Sequence, residues 1–363
     1  MNILLIEPYY TGSHKQWAEG YQKHSMHNVK ILSLKGQFWK WRMHGGAVTL
    51  AREFMNMNWK PDLILSSDML DLTTFISLTK ILTHNIPISI YFHENQLSYP
   101  WSTKDRDFKN KRNHHYGFIN YASALAADKI FFNSKFHMDS FLNELLPFLK
   151  NFPDHNELET VYKIRSKSKV LYLGMDLGKF DGYNIKKEKH PIILWNHRWE
   201  YDKNPELFFF VLEKIKKKGY QFKLAILGET FSQSPKIFEK AKNTFINEIM
   251  HWGYIKSFKS YAEILLKADI IPVTSNQDFF GVSIMEAIYC NNWPILPKRL
   301  SYPELLPKNN FKDNFYKTKN ELEKKIIWAI NNYNTLNNKN FKSIAKKFDW
   351  SNMVKIYDET LGE

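Results

Sequence analysis

Cysteine is nearly absent from this sequence of 363 residues, in which Cys290 is the single one. One thiol excludes an internal disulfide and any zinc site made of several cysteines. The sequence also contains no run of about 20 apolar residues, the length that a membrane-spanning helix needs. The apolar run at 3–6 has no basic residue before it and predicts a buried strand rather than a secretory signal. These absences favour a reducing compartment, and we expect a cytoplasmic protein without stable membrane insertion.

Negative charge is also scarce, since 37 Asp and Glu stand against 51 Lys and Arg and leave a net charge of +14. An excess of this sign attracts polyanions, among them nucleic acids, anionic membranes and nucleotides. A coding bias that fills the surface with lysine gives the same composition. The net charge is therefore compatible with several anionic partners and does not distinguish among them.

The chain is long enough for two domains and apolar enough to fill two cores, with 44% hydrophobic and 16% aromatic residues. Short apolar runs alternate with amphipathic stretches, as in parallel sheets flanked by helices. The predicted strands are Ile3–Ile6, Val29–Leu34, Leu63–Leu65, Ile88–Phe92, Lys129–Phe132 and Lys169–Leu173, then Ile192–Trp195, Lys223–Leu227, Met250–Tyr254, Ile270–Val273 and Pro294–Leu296. We predict an α/β protein of two Rossmann-like doubly wound domains that face a central cleft. The domains are expected at 1–180 and 190–345, with a helix at 346–363 crossing back to the first.

The most informative motif is Ser275-Asn-Gln-Asp-Phe-Phe-Gly-Val-Ser-Ile-Met-Glu-Ala, which follows a predicted strand and opens a helix. Asp278 and Glu286 lie on either side of the helix start, and the backbone N–H groups at Gly281 and Val282 are placed to face an anion. A capped amphipathic helix with an acid on each side explains the same pattern without a ligand. The strand and the aromatic-Gly context favour a binding site.

A second motif, Trp195-Asn-His-Arg-Trp-Glu-Tyr-Asp-Lys-Asn-Pro, begins where the first strand of the second domain ends. Arg198 and Lys203 lie in a loop just before a helix. Two fixed cations can stabilise the charge that develops on a departing diphosphate, the task that Mg²⁺ performs in metal-dependent enzymes. The alternative is an ordinary solvated loop.

Two loops in the first domain follow predicted strands. Gly12 and Ser13 lie in Glu7-Pro-Tyr-Tyr-Thr-Gly-Ser-His-Lys, where a phosphate or an acceptor could approach a helix N-terminus; a plain tight turn is the alternative. His93 lies in Phe92-His-Glu-Asn-Gln-Leu-Ser-Tyr-Pro, at the strand edge that faces the cleft in open α/β sheets. A buried, hydrogen-bonded core histidine is the alternative there.

These motifs together resemble the retaining glycosyltransferases of family 4, which have the GT-B fold. The resemblance implies that Asp278 contacts donor-sugar hydroxyls, that Glu286 holds the nucleotide ribose, and that His93 lines the sugar pocket. The family has Glu where this sequence has Asp278, which shortens the reach of that side chain. Further donor contacts are implied around Phe280 and in the backbone at Gly253 and Tyr254.

The same resemblance implies a reaction without a metal ion or other cofactor. The acceptor hydroxyl gives its proton to the departing phosphate on the same face, so no dedicated nucleophile is needed. The sequence accordingly offers no obvious nucleophile paired with a base and no convincing Asp-x-Asp metal motif.

Within family 4, ordered blocks along nearly the whole chain are similar to the tRNA-queuosine mannosyltransferases. The blocks are Gly12-Ser-His-Lys-Gln, Tyr91-Phe-His-Glu-Asn-Gln-Leu-Ser-Tyr-Pro, Arg106-Asp-Phe, Phe132-Asn-Ser-Lys-Phe, the Trp195 motif, Leu227-Gly-Glu-Thr-Phe, His251-Trp-Gly-Tyr, Phe279-Phe-Gly-Val and Pro297-Lys-Arg-Leu-Ser-Tyr-Pro-Glu. This similarity implies GDP-mannose as the donor. It implies as acceptor the cyclopentene ring of queuosine at a tRNA anticodon.

A basic stretch from 104 to 115 is a candidate for contacts with tRNA phosphates, although a solvated loop explains it equally well. Its candidate residues are Lys104, Arg106, Lys109, Lys111 and Arg112.

Two other functions remain open at this level. A transferase that builds cell-envelope glycans or glycolipids would explain the charge through anionic lipid. A catalytically inactive tRNA-binding protein would keep the fold, but the pattern of Arg198, Lys203 and Glu286 argues against it. The stretch Gln37-Phe-Trp-Lys-Trp-Arg-Met-His could insert at a membrane edge, stack on bases or pack in a core.

Overall fold

The structure is a computed structural model that describes residues 1–102, 105–109, 114–183, 185–229, 234–306, 311–336 and 340–363. The chain divides into two compact units, which we call unit 1 and unit 2. Unit 1 comprises Met1–Asp176 and Phe348–Glu363, and unit 2 comprises Leu177–Lys347. This division lies close to the limits expected from the sequence.

Unit 1 is built on a six-stranded parallel sheet with the order β2-β1-β3-β4-β5-β6. Its strands are β1 (Asn2–Tyr10), β2 (Asn28–Lys35), β3 (Leu63–Ser67), β4 (Ile88–Phe92), β5 (Lys129–Phe132) and β6 (Ser168–Val170). Its first helices are α1 (Gly12–His24), α2 (Trp39–Met55), α3 (Leu72–Thr83), α4 (Arg106–Lys109), α5 (His114–Ala126), α6 (Lys135–Leu149) and α7 (Thr160–Ser166). The central strands are buried on both faces, which explains why they read as continuous apolar runs.

Unit 2 repeats the plan with a six-stranded parallel sheet of order β12-β11-β10-β7-β8-β9. Its strands are β7 (Ile192–Asn196), β8 (Lys223–Leu227), β9 (Ile249–Gly253), β10 (Ile270–Pro272), β11 (Trp293–Pro297) and β12 (Phe315–Tyr316). Its helices are α8 (Pro205–Lys217), α9 (Ile237–Thr244), α10 (Phe258–Lys267), α11 (Val282–Tyr289), α12 (Tyr302–Leu305), α13 (Lys319–Leu336) and α14 (Lys342–Lys346). The prediction of two doubly wound parallel-sheet domains is confirmed.

The last helix, α15 (Trp350–Gly362), packs against α1 within unit 1. The Trp350 indole fills the space that two glycines leave open. A Cβ atom at Gly20 would lie 1.9 Å from this ring, and one at Gly174 would lie 2.5 Å from it. Trp17 Nε1 donates to Tyr357 Oη at 3.1 Å, two turns further along the same face of the helix. This close packing explains why the C-terminal segment completes the first unit.

In both units the strands end at the carboxyl edge of the sheet, where the loops carry the polar motifs found in the sequence. This edge is where open α/β sheets bind ligands.

Candidate functional site

In unit 2 the loop after β10 is held in place by two side chains from the loop after β11. Arg299 Nη2 donates to the Ser275 carbonyl at 2.9 Å, and Arg299 Nε donates to the same oxygen at 3.2 Å. Ser301 Oγ donates to the Phe280 carbonyl at 3.1 Å. These bonds fix the backbone that carries Asp278, so the loop reaches the start of α11 in one defined conformation.

Lys203 lies beneath this loop with its ammonium group fully engaged. Its Nζ donates to the Gln277 carbonyl at 2.8 Å and lies 3.2 Å from Asp202 Oδ2 and 3.7 Å from Asp278 Oδ2. Burial lowers the pKa of Lys203, but the two carboxylates outweigh this and raise it above its usual value. Lys203 is therefore a buried permanent cation that links the loop after β7 to the loop after β10.

Asp278 is oriented from its other side by Tyr302, the first residue of α12. The Tyr302 hydroxyl donates to Asp278 Oδ2 at 3.0 Å, and its ring is completely buried. Gly281 closes the turn with φ +94°, and a Cβ atom there would lie 3.3 Å from both Tyr302 Cε1 and Ile284 Cδ1. Only glycine combines this φ with so little room beside the ring, so the aromatic-Gly step shapes the loop.

Glu286 is held in α11 by two donors that the sequence did not reveal. Tyr261 Oη donates to Glu286 Oε2 at 2.6 Å, and Lys179 Nζ donates to Oε1 at 3.1 Å. Asn196 Nδ2 donates to the Tyr261 hydroxyl at 2.9 Å and so orients it toward the carboxylate. Burial, together with Glu286, raises the pKa of Tyr261 well above its usual value, so this hydroxyl stays a donor. Glu286 is thus a buried carboxylate with a fixed direction, as a ligand for ribose hydroxyls must be.

Arg198 differs from Lys203 in being accessible. Half of its side chain is exposed, and its Nη2 lies 3.2 Å from Glu200 Oε2. The neighbouring His197 is buried, and burial, with Lys203 and Arg198, lowers its pKa to about 3 against the opposing effect of Asp202. Gly228 packs directly on His197, because a Cβ atom there would lie 1.9 Å from the His197 carbonyl oxygen. Arg198 is therefore the cation of this loop that solvent and ligands reach.

The other unit 2 residues that are predicted to contact the sugar donor differ in burial and in their place in the fold. Gly253 ends β9 with φ +114° and open space beside it, and Tyr254 is largely exposed. Phe280 is buried, and Val282 is the first residue of α11. The structure brings Lys203, Asp278 and Gly281 together, whereas Glu286 on α11 has partners of its own, Tyr261 and Lys179. Their roles toward a donor stay predictions.

In unit 1 the first turn of α1 and the loop after β4 bring two histidines together. His14 Nδ1 lies 3.0 Å from Glu7 Oε2, and the His14 and His93 ring centroids are 4.2 Å apart. The Glu7 carboxylate also accepts from the Tyr9 amide at 2.8 Å. His93 packs edge-on against Trp17, and its amide donates to Asp68 Oδ1 at 2.7 Å. His93 is a buried aromatic neighbour of a charged pair.

The two histidines differ in protonation. Burial lowers the pKa of His14, but the Glu7 carboxylate outweighs it, with help from Asp68 and Glu94, and the pKa rises to about 9. Burial, together with His14, lowers the pKa of His93 well below its usual value. At neutral pH the pair therefore consists of an imidazolium at His14 and a neutral imidazole at His93.

Glu7, His14 and His93 are also the group in the described part of the chain that could hold a metal ion, since their ligand atoms lie within 4.8 Å of one another. Both oxygens of Glu7 already accept hydrogen bonds, and the His14 nitrogen facing it carries a proton. A metal would have to displace that proton. The geometry fits an ion pair better than a metal site.

Of the other predicted residues of unit 1, those that the structure describes lie at the surface. Gly12 begins α1 with φ +51° and open space beside it, and Ser13 is exposed. Arg106 and Lys109 are exposed on α4. Lys104, Lys111 and Arg112 lie outside the described residues.

Comparisons with known proteins assign the family. A family model described as "tRNA-queuosine alpha-mannosyltransferase N-terminal" matches residues 2–175, and one described as "Glycosyl transferases group 1" matches residues 179–348. The chain is 35% identical over 339 residues to the tRNA-queuosine alpha-mannosyltransferase of Drosophila melanogaster, covering 90% of this chain and 86% of that protein. The chain belongs to the tRNA-queuosine alpha-mannosyltransferase family. The resemblance drawn from the ordered blocks is confirmed, and the chain is a glycosyltransferase.

Solved structures show the fold of this family member to be GT-B. A glycosyltransferase from Rickettsia africae matches with a TM-score of 0.67 at 16% identity, covering 99% of this chain and 97% of that one. Sucrose-phosphate synthase from Thermosynechococcus elongatus matches with a TM-score of 0.69 at 13% identity, covering 100% and 99%. No helix within the described parts of the chain combines the length and apolarity that a membrane span requires.

Proposed function

We propose that this chain transfers an α-mannosyl group from GDP-mannose to a cyclopentene hydroxyl of queuosine in tRNA, with retention of configuration. The observation that carries the proposal is the 35% identity over 90% of the chain to an enzyme named for that reaction. In the reaction the bond between the sugar C1 and the β-phosphate oxygen breaks, and a bond between C1 and the acceptor oxygen forms. The acceptor proton leaves with GDP.

Unit 2 supports the donor half of the proposal. The exposed Arg198 guanidinium can pair with the departing diphosphate. Lys203 is too engaged to act as a free ligand, so its charge acts through the loop that it fixes and through the field at the start of α11. Asp278, held by Lys203 and Tyr302, faces the sugar hydroxyls, and Glu286 accepts from the ribose.

Unit 1 supports the acceptor half. A buried imidazolium at His14 next to a neutral imidazole at His93 places one fixed positive charge and one uncharged ring at the carboxyl edge of the sheet. The neutral His93 ring adds no second charge beside the imidazolium. The net charge of +14 favours a polyanionic acceptor such as tRNA.

The test is mannosylation by the purified protein with radiolabelled GDP-mannose. Queuosine-containing tRNA should gain one hexose, detected by mass spectrometry of its nucleosides. The same tRNA with unmodified guanine should not react, because it lacks the cyclopentene hydroxyl that accepts the sugar. UDP-glucose and UDP-galactose serve as donor controls. Reaction of lipid extracts but of no tRNA would replace the proposal with the cell-envelope alternative.

A further inference from the structure

The N-terminal turn of α2 is anchored within unit 1 by two consecutive side chains, Trp39 and Lys40. The Trp39 ring centroid lies 5.1 Å from that of Tyr116 and 6.0 Å from that of Trp101. Lys40 Nζ lies above the Trp101 ring and 2.7 Å from Asp105 Oδ1. These contacts hold the segment in place independently of its other side chains.

The neighbouring aromatic side chains point away from this anchor. Phe38 is 76% exposed and Trp41 is 64% exposed. The Trp41 indole nevertheless has a fixed position, because it lies against the helix at Gly45. A Cβ atom at Gly45 would lie 2.6 Å from two atoms of the ring. The helix therefore supports one face of the indole and leaves most of the ring open to solvent.

The backbone at Phe38 is strained. This residue precedes α2 with φ +53° and ψ +56°, a left-handed conformation that a bulky side chain rarely adopts. Strain of this kind costs about 1–3 kcal/mol and persists where the surrounding structure over-determines it. Burial does not compensate for it at Phe38, since most of the ring is exposed. A strained backbone and an exposed aromatic ring thus occur together at Phe38.

The segment also carries positive charge at the edge of the sheet that holds the unit 1 site. Lys35 pairs with Tyr10 at the carboxyl end of β1, and Arg42 Nε donates to the Lys35 carbonyl at 3.0 Å. In the described part of the chain neither side chain has a carboxylate partner. Gly36 packs on Thr11, immediately before the helix that carries His14. The aromatic rings and the cations thus lie at the same sheet edge as Glu7 and His14.

We propose that Phe38 and Trp41 stack on unpaired bases of the acceptor tRNA, while Lys35 and Arg42 pair with adjacent phosphates. This inference rests on the proposed function and identifies the surface of the protein that binds the acceptor. A base that receives a sugar must be accessible, and unpaired bases are recognised by stacking on aromatic rings beside a basic groove. A flat, supported indole suits stacking better than membrane insertion, which uses side chains that project into lipid.

The experiment measures the affinity for fluorescently labelled queuosine tRNA and for its isolated anticodon stem-loop. Trp41→Ala and Phe38→Ala should each weaken both affinities by about tenfold, in line with one lost base stack. GDP-mannose hydrolysis without an acceptor should not change. Tyr162→Ala, which removes an aromatic ring that is 69% exposed on α7, is the matched control and should bind like the wild type.

Two further variants separate the surface from the fold. Gly45→Ala favours the helix but pushes the Trp41 ring from its support, so tRNA affinity should fall while the melting temperature is kept. Phe38→Gly relieves the backbone strain and removes the ring, so stability should be kept or rise while affinity falls. Lys35→Ala with Arg42→Ala should reduce the slope of log affinity against log salt by about two, whereas the aromatic variants should leave that slope unchanged.

The outcomes distinguish the inference from the proposed function. If the wild type mannosylates queuosine tRNA and the aromatic variants bind it within twofold, the stacking surface is wrong and the function stands. If the variants instead lose binding to phosphatidylserine vesicles and keep tRNA binding, the surface is a lipid contact and the inference is overturned. If the wild type neither binds nor modifies tRNA, the proposed function is wrong, and the stacking surface is overturned with it.

Discussion

Lys203 Nζ lies 3.7 Å from Asp278 Oδ2, so a buried cation from the loop after β7 fixes the carboxylate at the start of α11. The sequence placed these residues in two separate motifs, 75 positions apart. The structure joins them through the Gln277 carbonyl, which accepts from the same ammonium group. Removing Lys203 would therefore disturb the loop after β10 as well as the charge near it.

Arg198 and Lys203 should differ in what their loss affects. Arg198→Ala should lower kcat about 100-fold with little change in melting temperature, because an exposed cation contributes little to folding. Lys203→Ala should lower kcat by at least as much and also destabilise unit 2 by about 3 kcal/mol, because it removes the buried cation that pairs with the Asp202 carboxylate. Steady-state kinetics and thermal unfolding of the two variants give the comparison. Wild-type activity in both would end the assignment of cations to the departing diphosphate.

Glu286 and Asp278 should affect different kinetic constants. Glu286→Gln should raise the KM for GDP-mannose more than it lowers kcat, because the ribose is bound similarly in the ground and transition states. Asp278→Asn should lower kcat, since its contact is with the sugar that changes shape. Tyr261→Phe should reproduce the effect of Glu286→Gln in weaker form, because it removes only the hydroxyl that orients the carboxylate. The reverse pattern would exchange the two roles.

Gly281 should tolerate no side chain. Gly281→Ala places a Cβ atom 3.3 Å from Tyr302 in a backbone conformation with φ +94°, and we expect a loss of about 1–2 kcal/mol in stability together with reduced turnover. Gly182→Ala is the matched control, because nothing lies within 4 Å of that position. Differential scanning fluorimetry and kinetics on both proteins provide the measurement. Equal behaviour of the two variants would show that the loop is less constrained than its contacts indicate.

The sequence predicts the two sheets well because buried parallel strands are apolar on both faces and stand out as short runs. It does not predict β12, whose two residues are too short for a pattern. It also misses Tyr261 and Tyr302, since their contacts with Glu286 and Asp278 depend on how α10 and α12 pack against α11. Their tyrosines lie in ordinary helical segments of the sequence. Only the packed fold shows that each hydroxyl points at a carboxylate.

The Gln37–His44 stretch illustrates the same limit. From the sequence it could pack in a core, insert in a membrane or stack on bases. In the structure Trp39 packs against Tyr116 while Trp41 is exposed, so two tryptophans two positions apart have different environments. A periodicity argument cannot separate them, because Gly45 sets the position of the Trp41 ring.

The reaction should proceed in excess EDTA. In the proposed mechanism Arg198 and Lys203 supply the positive charge that a metal-dependent enzyme takes from Mg²⁺, and His14 holds a proton where a metal would have to bind. The measurement is the initial rate with and without chelator, using protein dialysed against EDTA and controls with added Mg²⁺, Mn²⁺ or Zn²⁺. A strict requirement for any of these ions would contradict a metal-independent reaction.

Stability should depend on pH through the Glu7–His14 pair in a defined direction. The pKa of His14 is about 9 in the folded protein, above the 6.5 of an unfolded histidine, so the folded state holds the proton more tightly. The stabilisation from this proton is complete below pH 6.5 and is lost as the pH rises through about 9. Converted by linkage, the full effect is about 3 kcal/mol in the free energy of unfolding. Other groups titrate in the same range, so the quantity to compare is the difference between wild type and His14→Gln.

That difference should shrink steadily from pH 6.5 to pH 9 in urea unfolding experiments. Glu7→Gln should remove most of the same dependence, because the carboxylate is what raises the pKa of His14 above its usual value. His137 provides a control of opposite sign. Burial lowers the pKa of His137 well below its usual value, so its contribution is present above pH 6.5 and is lost as the pH falls below that value. A His14→Gln difference that stays constant between pH 6.5 and pH 9 would mean that His14 is neutral, and the charged pair at the edge of the first sheet would have to be abandoned.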